Sequence, residues 1–324
     1  MSDHNMILGL HHTGLSVGNL DRAIEHYETN LGFEVAARFS VEDDAASRRL
    51  LDVDHATAKV ALMRGATGYM ELFEYAERPE RVLDPAVFEA GIRHICIQAV
   101  DVETLFDQCM AAGGRSHARP SSMGTGALYA YIRDPEANIM ELEGVPWGPA
   151  YRKEPWYAHT AFVTHDMDRL LAFYEYLTGV DSHDRRKFGP HKAFDRVAGV
   201  EGIVFEGAWI KLNNATLEFW QYSNPVTMPA ERSDVRTLGW NHICLEVKDV
   251  SAVYDRLDDD GVELHGPIVR NGFGALFYGR DPDGNVFECI EIAPRSASFS
   301  VENLSGHQFL NDLERAFEEN YSRG

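Results

Sequence analysis

Four histidines, each followed by a glutamate at a similar distance, are the residues of this chain best suited to chemistry. His12 precedes Glu71 by 59 residues, His94 precedes Glu141 by 47, His159 precedes Glu218 by 59 and His242 precedes Glu288 by 46. Each histidine opens a short β-rich run (LHHTGLSV, RHICIQAV, AHTAFV, NHICLEV), and each glutamate sits in another (YMELFEY, NIMELEG, TLEFWQY, NVFECIE). Two imidazoles and two carboxylates suit a divalent ion of hard to borderline character. The same four glutamates are the candidate general bases. A single strand histidine beside apolar residues is usually a packing or surface residue; four His–Glu pairs repeated in order are not expected by chance.

The elements that must position these residues follow from periodicity. Strand alternation puts His12, Gly14 and Ser16 on one face and Leu15 and Val17 on the other, and it likewise separates His94 and Cys96 from Ile95 and Ile97. Tyr69, Glu71 and Phe73 oppose Met70 and Leu72, and Thr216, Glu218 and Trp220 oppose Leu217 and Phe219. Alternation turns His11 away from His12, so it reads as structural. Cys96 and Cys244 share the ligand face and read as small apolar filler. Residues 21–31 place Ile24, Tyr27 and Leu31 at helical spacing before Gly32, and residues 102–112 do the same before Gly113. Asp134-Pro135 and Asp281-Pro282 mark turns between strands; Ala137 stands where the second turn has Gly284 and would be strained if that position needs positive φ.

The chain repeats at an offset of 147: His12-Thr13 falls on His159-Thr160, Tyr27 on Tyr174, Glu71 on Glu218, Asp134 on Asp281 and Glu141 on Glu288, with His94 and His242 offset by 148. Two units follow: residues 1–149, with modules at about 9–75 and 92–145, and residues 150–296, with modules at about 156–223 and 240–293. Each module reads as strand, helix and about three strands. Residues 297–324 form a helical tail whose Leu304, Phe309, Leu310, Leu313 and Phe317 are expected to pack on the body or on a second copy, giving a homodimer.

With 324 residues, 44% hydrophobic and 25% charged, the chain has material for two cores. A net charge of −21 argues against nucleic acid, anionic membrane and bulky polyanionic cofactors as partners. The four cysteines (Cys96, Cys109, Cys244, Cys289) are widely spaced and form no CxxC pair, which suits free thiols in a reducing compartment. With no leader-like or membrane-length apolar run, a cytoplasmic location is expected.

The motifs HHTGLSVGNLDRAIEHY, YMELFEY, RHICIQAVDVETL, RDPEANIMELEG, AHTAFVTHDMDRLLAFY, TLEFWQY, NHICLEVKDV and RDPDGNVFECIE resemble the vicinal-oxygen-chelate superfamily of glyoxalases, bleomycin-resistance proteins and extradiol dioxygenases. The resemblance covers residues 9–293. It implies an α+β fold in which four βαβββ modules pair into two tandem cup-shaped domains. It makes His12, Glu71, His94 and Glu141 the ligands of the first unit and His159, Glu218, His242 and Glu288 those of the second. This grouping assumes that consecutive modules pair, whereas glyoxalases of the fold can exchange modules.

The resemblance implies a divalent-metal enzyme acting on a small, partly aromatic molecule with neighbouring oxygens. Four protein ligands on an octahedral Ni, Co, Zn or Mn ion leave two positions, enough for glyoxalase- or epimerase-like isomerisation or lyase chemistry through a stabilised enediolate. The runner-up is Fe(II) extradiol ring cleavage of a catechol, which uses two His and one Glu. Against it, Glu218 fills a position that is not a ligand in such enzymes, and Val269, Arg270 and Asn271 hold no histidine ahead of Phe277-Tyr278. A third reading is ligand sequestration without turnover, in which Tyr69, Phe73 and Trp220 would stack on the bound molecule. Basic clusters at 115–119 and 185–187 could hold an anion but more commonly are solvated.

Overall fold

Apolar alternation of period two and helical runs of period 3.6 become four modules of the same plan. The computed structural model describes residues 6–79 and 85–321; the first residues of the chain, read above for a leader, lie outside them. Module one comprises β1 (Ile7–Ser16), α1 (Leu20–Leu31), β2 (Glu34–Val41), α2 (Ala45–Leu51), β3 (Ala58–Arg64) and β4 (Tyr69–Tyr75). Module two comprises β5 (Gly91–Ala99), α3 (Val102–Ala111), the short β6 (Arg115–Ser116) and β7 (Ser121–Ser122), β8 (Leu128–Arg133) and β9 (Ile139–Gly144). Module three runs β10 (Trp156–Val163), α4 (Met167–Thr178), β11 (His183–Phe188), α5 (Lys192–Ala198), β12 (Val204–Lys211) and β13 (Thr216–Asn224). Module four runs β14 (Gly239–Val247), α6 (Val250–Asp259), β15 (Val269–Asn271), β16 (Gly274–Arg280) and β17 (Val286–Ile292), and the tail forms α7 (His307–Tyr321). The short helices α2 and α5, inserted in modules one and three, were not expected.

The modules do not pair consecutively. One eight-stranded sheet has the order β15-β16-β17-β14-β1-β4-β3-β2, and a nine-stranded sheet follows β11-β12-β13-β10-β5-β9-β8-β6, with β7 beside β8. Module one therefore shares a sheet with module four, and module two with module three. The joins are antiparallel, β1 on β14 and β10 on β5. The expectation that residues 1–149 and 150–296 each close their own cup is corrected: each sheet takes one module from each half.

Both sheets and the helices α1, α3, α4 and α6 contribute to one apolar core. The repeated Tyr and Asp residues tie modules across it, with the Tyr27 hydroxyl donating to Asp134 Oδ2 and the Tyr174 hydroxyl to Asp281 Oδ2, both at 3.0 Å. Gly32 ends α1 as read, at φ 71°; Asn19, not singled out in the sequence, caps its start by accepting from Arg22 N. Ala137 adopts φ 68° where Gly284 has 83°. The tail packs on the body: Phe309 meets Trp156 at 4.5 Å between ring centroids, and Glu314 pairs with Lys211. Among the described residues, no helix is long and apolar enough to cross a membrane.

Candidate metal centres

The four central strands of each sheet carry one ligand-type residue apiece. Across β17-β14-β1-β4 stand Glu288, His242, His12 and Glu71; across β13-β10-β5-β9 stand Glu218, His159, His94 and Glu141. All eight residues singled out in the sequence thus come together, in two groups of four, but in groups that cross the halves of the chain. All eight are buried.

In the first cluster His12 Nε2 lies 3.0 Å from His242 Nε2 and 3.3 Å from both Glu71 Oε2 and Glu288 Oε2. His242 Nε2 is 3.8 Å from Glu71 Oε2 and 3.5 Å from Glu288 Oε2. Around an ion with bonds of about 2.1 Å, adjacent ligand atoms stand roughly 3.0–3.4 Å apart, so the spacing suits a single small divalent ion. In the second cluster His159 Nε2 is 3.1 Å from Glu141 Oε2 and 3.2 Å from Glu218 Oε2, while His94 Nε2 is 3.7 and 3.5 Å from the same oxygens.

The electrostatics point the same way. Burial opposes a charge on His12, yet Glu71 and Glu288 outweigh it and hold the imidazole protonated up to about 10. Burial would raise Glu288, but the imidazoles of His12 and His242 close beside it keep it below the usual carboxylate range. Glu218 behaves likewise beside His159 and His94. These pockets draw a positive charge. Glu288 Oε2, Glu218 Oε2, His94 Nε2 and His159 Nε2 are buried without a hydrogen-bond partner, which a metal ion would supply.

The surroundings of the clusters differ. The first opens on a cavity of about 520 Å³ lined by His12, Glu71 and Glu288, with Phe39, Leu51, Phe73, Phe273, Leu276, Tyr278 and Phe299 among its apolar walls. Glu42, Asp44 and Asn271 also line it, and among the described residues no Lys or Arg does. At the second cluster Trp209 Nε1 donates to Glu218 Oε1 at 2.7 Å. Trp209 belongs to an aromatic group with Phe188, Phe205 and Trp220, in which Phe205 and Trp220 stand 4.3 Å apart.

Of the aromatics expected near the cups, Phe73 lines the cavity, Tyr69 stacks on His11 at 4.7 Å and Trp220 sits in the aromatic group. Arg119 pairs with Asp107 and Glu103, and Arg185 with Asp168 and Glu206, so these basic residues are engaged by local acids. Cys96 and Cys244 are buried beside the clusters. One sequence reading needs correction: His11 does not turn away. The register of β1 on β14 steps from Leu10↔Leu245 to His12↔Cys244, leaving His11 in a β-bulge. His11 Nδ1 lies 2.7 Å from His12 Nδ1, and His11 lines the cavity. Burial and the neighbouring His12 push its imidazole down to about 3, so it stays neutral. The doubled histidine at 11–12 was the available signal. Helix α2, which brings Leu50 and Leu51 to the cavity, had none as clear.

A family model described as Glyoxalase/Bleomycin resistance protein/Dioxygenase superfamily matches residues 9–142 and 156–289. The chain is 31% identical over 157 residues to a 2-epi-5-epi-valiolone epimerase from Actinomyces sp, covering 45% of this chain and 85% of that protein. It is 24% identical over 170 residues to a lactoylglutathione lyase of Arabidopsis thaliana, covering 52% of this chain but only 54% of that relative. Glyoxalase I from Zea mays shares the fold with a TM-score of 0.58 at 19% identity, over 95% of this chain and 96% of that one.

Proposed function

The chain belongs to the glyoxalase/bleomycin resistance protein/dioxygenase superfamily, and from that premise we propose that it is a divalent-metal enzyme of isomerase or lyase type whose reaction takes place at the first cluster. The observation that carries this reading is a single one: His12, Glu71, His242 and Glu288 converge within ion-binding distance, and three of them, His12, Glu71 and Glu288, line a cavity of about 520 Å³. A Ni, Co, Zn or Mn ion held there would polarise two neighbouring oxygens of a substrate and favour loss of a proton from the adjoining carbon. The chain's own groups do the rest. Glu71 is the most open of the four, with 11% of its side chain exposed against 3% for Glu288, and is the group best placed to accept that proton and return it. The apolar walls exclude water from the reacting carbon. The second cluster, with Glu218 tied to Trp209, is read as a second metal site with a structural role.

The cavity also narrows the substrate. Walls with no Lys or Arg among the described residues, and with Glu42 and Asp44 nearby, disfavour anionic molecules such as glutathione conjugates. An uncharged hydroxy-ketone with an apolar body fits better. Support for epimerase-type chemistry comes from the relative matched over 85% of its length. Four converging ligands, not three, weigh against ring cleavage, which needs a third open position for dioxygen.

The test is solvent-deuterium incorporation by metal-loaded protein, with oxygen uptake followed in parallel. Substrates would be 2-epi-5-epi-valiolone, benzoin, lactoylglutathione and catechol. The expected result is deuterium at the carbon beside the carbonyl of an uncharged hydroxy-ketone, with no oxygen consumed. Glu71→Gln should cut the rate by at least about 100-fold. Oxygen uptake on catechol, or exchange unaffected by Glu71→Gln, would contradict the reading.

A further inference from the structure

His11 completes a chain of hydrogen bonds that leads away from the first cluster. His12 directs Nε2 at His242, Glu71 and Glu288, and its Nδ1 at His11 Nδ1, 2.7 Å away. On the other side of the ring, His11 Nε2 lies 2.9 Å from the carbonyl oxygen of Phe299. Only one arrangement of protons satisfies all three contacts if His12 Nε2 offers its lone pair to a metal. The His12 proton is then on Nδ1 and is donated to His11 Nδ1, and the His11 proton is on Nε2 and is donated to Phe299 O. Tyr69 holds the His11 ring in place by stacking at 4.7 Å and 11°, while its hydroxyl donates to Ser298 O at 2.9 Å.

The other histidine of the cluster is held in the same way by its own preceding residue. His242 Nδ1 lies 2.6 Å from Asn241 Oδ1, and the Asn241 amide donates to Ser16 Oγ at 2.8 Å and to Val235 O at 3.1 Å. The second cluster has neither device. Ala158 precedes His159 and Arg93 precedes His94, and neither side chain can accept a hydrogen bond. Arg93 instead donates to the carbonyls of Glu89 and Ala90.

We propose that His11 is a positioning residue of the first cluster: it accepts the His12 Nδ1 proton, fixes the tautomer that presents Nε2 to the metal, and couples that ligand to the segment at 298–299. The proposal rests on the metal reading above. It is not required by packing alone, because a ring of the same shape without an acceptor facing His12 would fill the bulge equally well.

The test is a competition titration of the full chain with Co²⁺ against a chromophoric chelator, following the cobalt absorption band. The equivalent of metal belonging to the first cluster is identified as the one that Glu288→Gln abolishes. His11→Ala should weaken that equivalent by about 10- to 100-fold and leave the other unchanged. His11→Asn, which places an amide oxygen where His11 Nδ1 stands and so copies the Asn241–His242 pair, should recover most of the loss. Unaltered affinity in His11→Ala, or His11→Asn as weak as His11→Ala, overturns the proposal and leaves the metal reading standing. Wild-type protein that binds no Co²⁺ overturns both.

Discussion

At the scale of single residues, the first cluster depends on space left by a glycine. A Cβ built on Gly14 would stand 2.1 Å from His242 Nδ1 and 2.3 Å from Asn241 Oδ1. Gly14 faces His242 across the β1–β14 join, in the register where Ala161 faces His94 across the β10–β5 join. Alanine is admitted beside His94 and excluded beside His242, where the asparagine amide occupies that volume. Gly14→Ala is therefore expected to displace the His242 ring and lower metal affinity at the first cluster by at least about 10-fold, with the second untouched. Metal counting after dialysis checks this, and two retained equivalents would contradict it. At this scale the sequence was most informative for the ligands themselves. Residue type and strand alternation selected His12 and Glu71 without knowledge of neighbours. They failed for His11, because the bulge there breaks the alternation at that one residue.

At the scale of elements, the two Asp-Pro turns show how far local rules carry. Ala137 and Gly284 hold equivalent left-handed positions, at φ 68° and 83°. A non-glycine residue there costs on the order of 1 kcal/mol. Ala137→Gly should raise stability by about that amount, roughly 2 °C in Tm, and Gly284→Ala should lower it similarly. The comparison is clean because a Cβ on Gly284 meets nothing nearer than Arg232 Cα at 3.6 Å, so backbone strain alone decides. Thermal melts of both variants check the pair; changes of the same sign would contradict it. Helix ends and turns were legible where their signals lie within a few residues, as with Gly32 at the end of α1. Helix α2 was not legible, because its seven residues bury only Leu51 and so show little periodicity.

At the scale of the whole molecule, the exchange of modules decides what the ligands do. A strand's sequence states which face is apolar but not which strand lies beside it, so residues equivalent by repeat could be grouped in more than one way. Sheet order resolves this: β1 lies against β14, and β10 against β5. Each cluster then draws one His–Glu pair from either half of the chain. Residues 1–149 expressed alone carry only His12, Glu71, His94 and Glu141, which belong to two different clusters. That fragment as a monomer should bind divalent metal at least about 100-fold more weakly than the intact chain, since two of four ligands are lost at each site. Isothermal titration of the monomeric fragment checks this, and tight binding of one equivalent would contradict it.

Metal stoichiometry in two double variants tests the crossed pairing most directly. Glu71→Ala with Glu288→Ala removes two ligands from one cluster, whereas Glu71→Ala with Glu141→Ala removes one from each. Crossed pairing predicts that the first variant keeps one full equivalent of metal and the second keeps none bound tightly. The opposite outcome, one equivalent kept by Glu71→Ala with Glu141→Ala and none by Glu71→Ala with Glu288→Ala, would restore consecutive pairing and contradict the account.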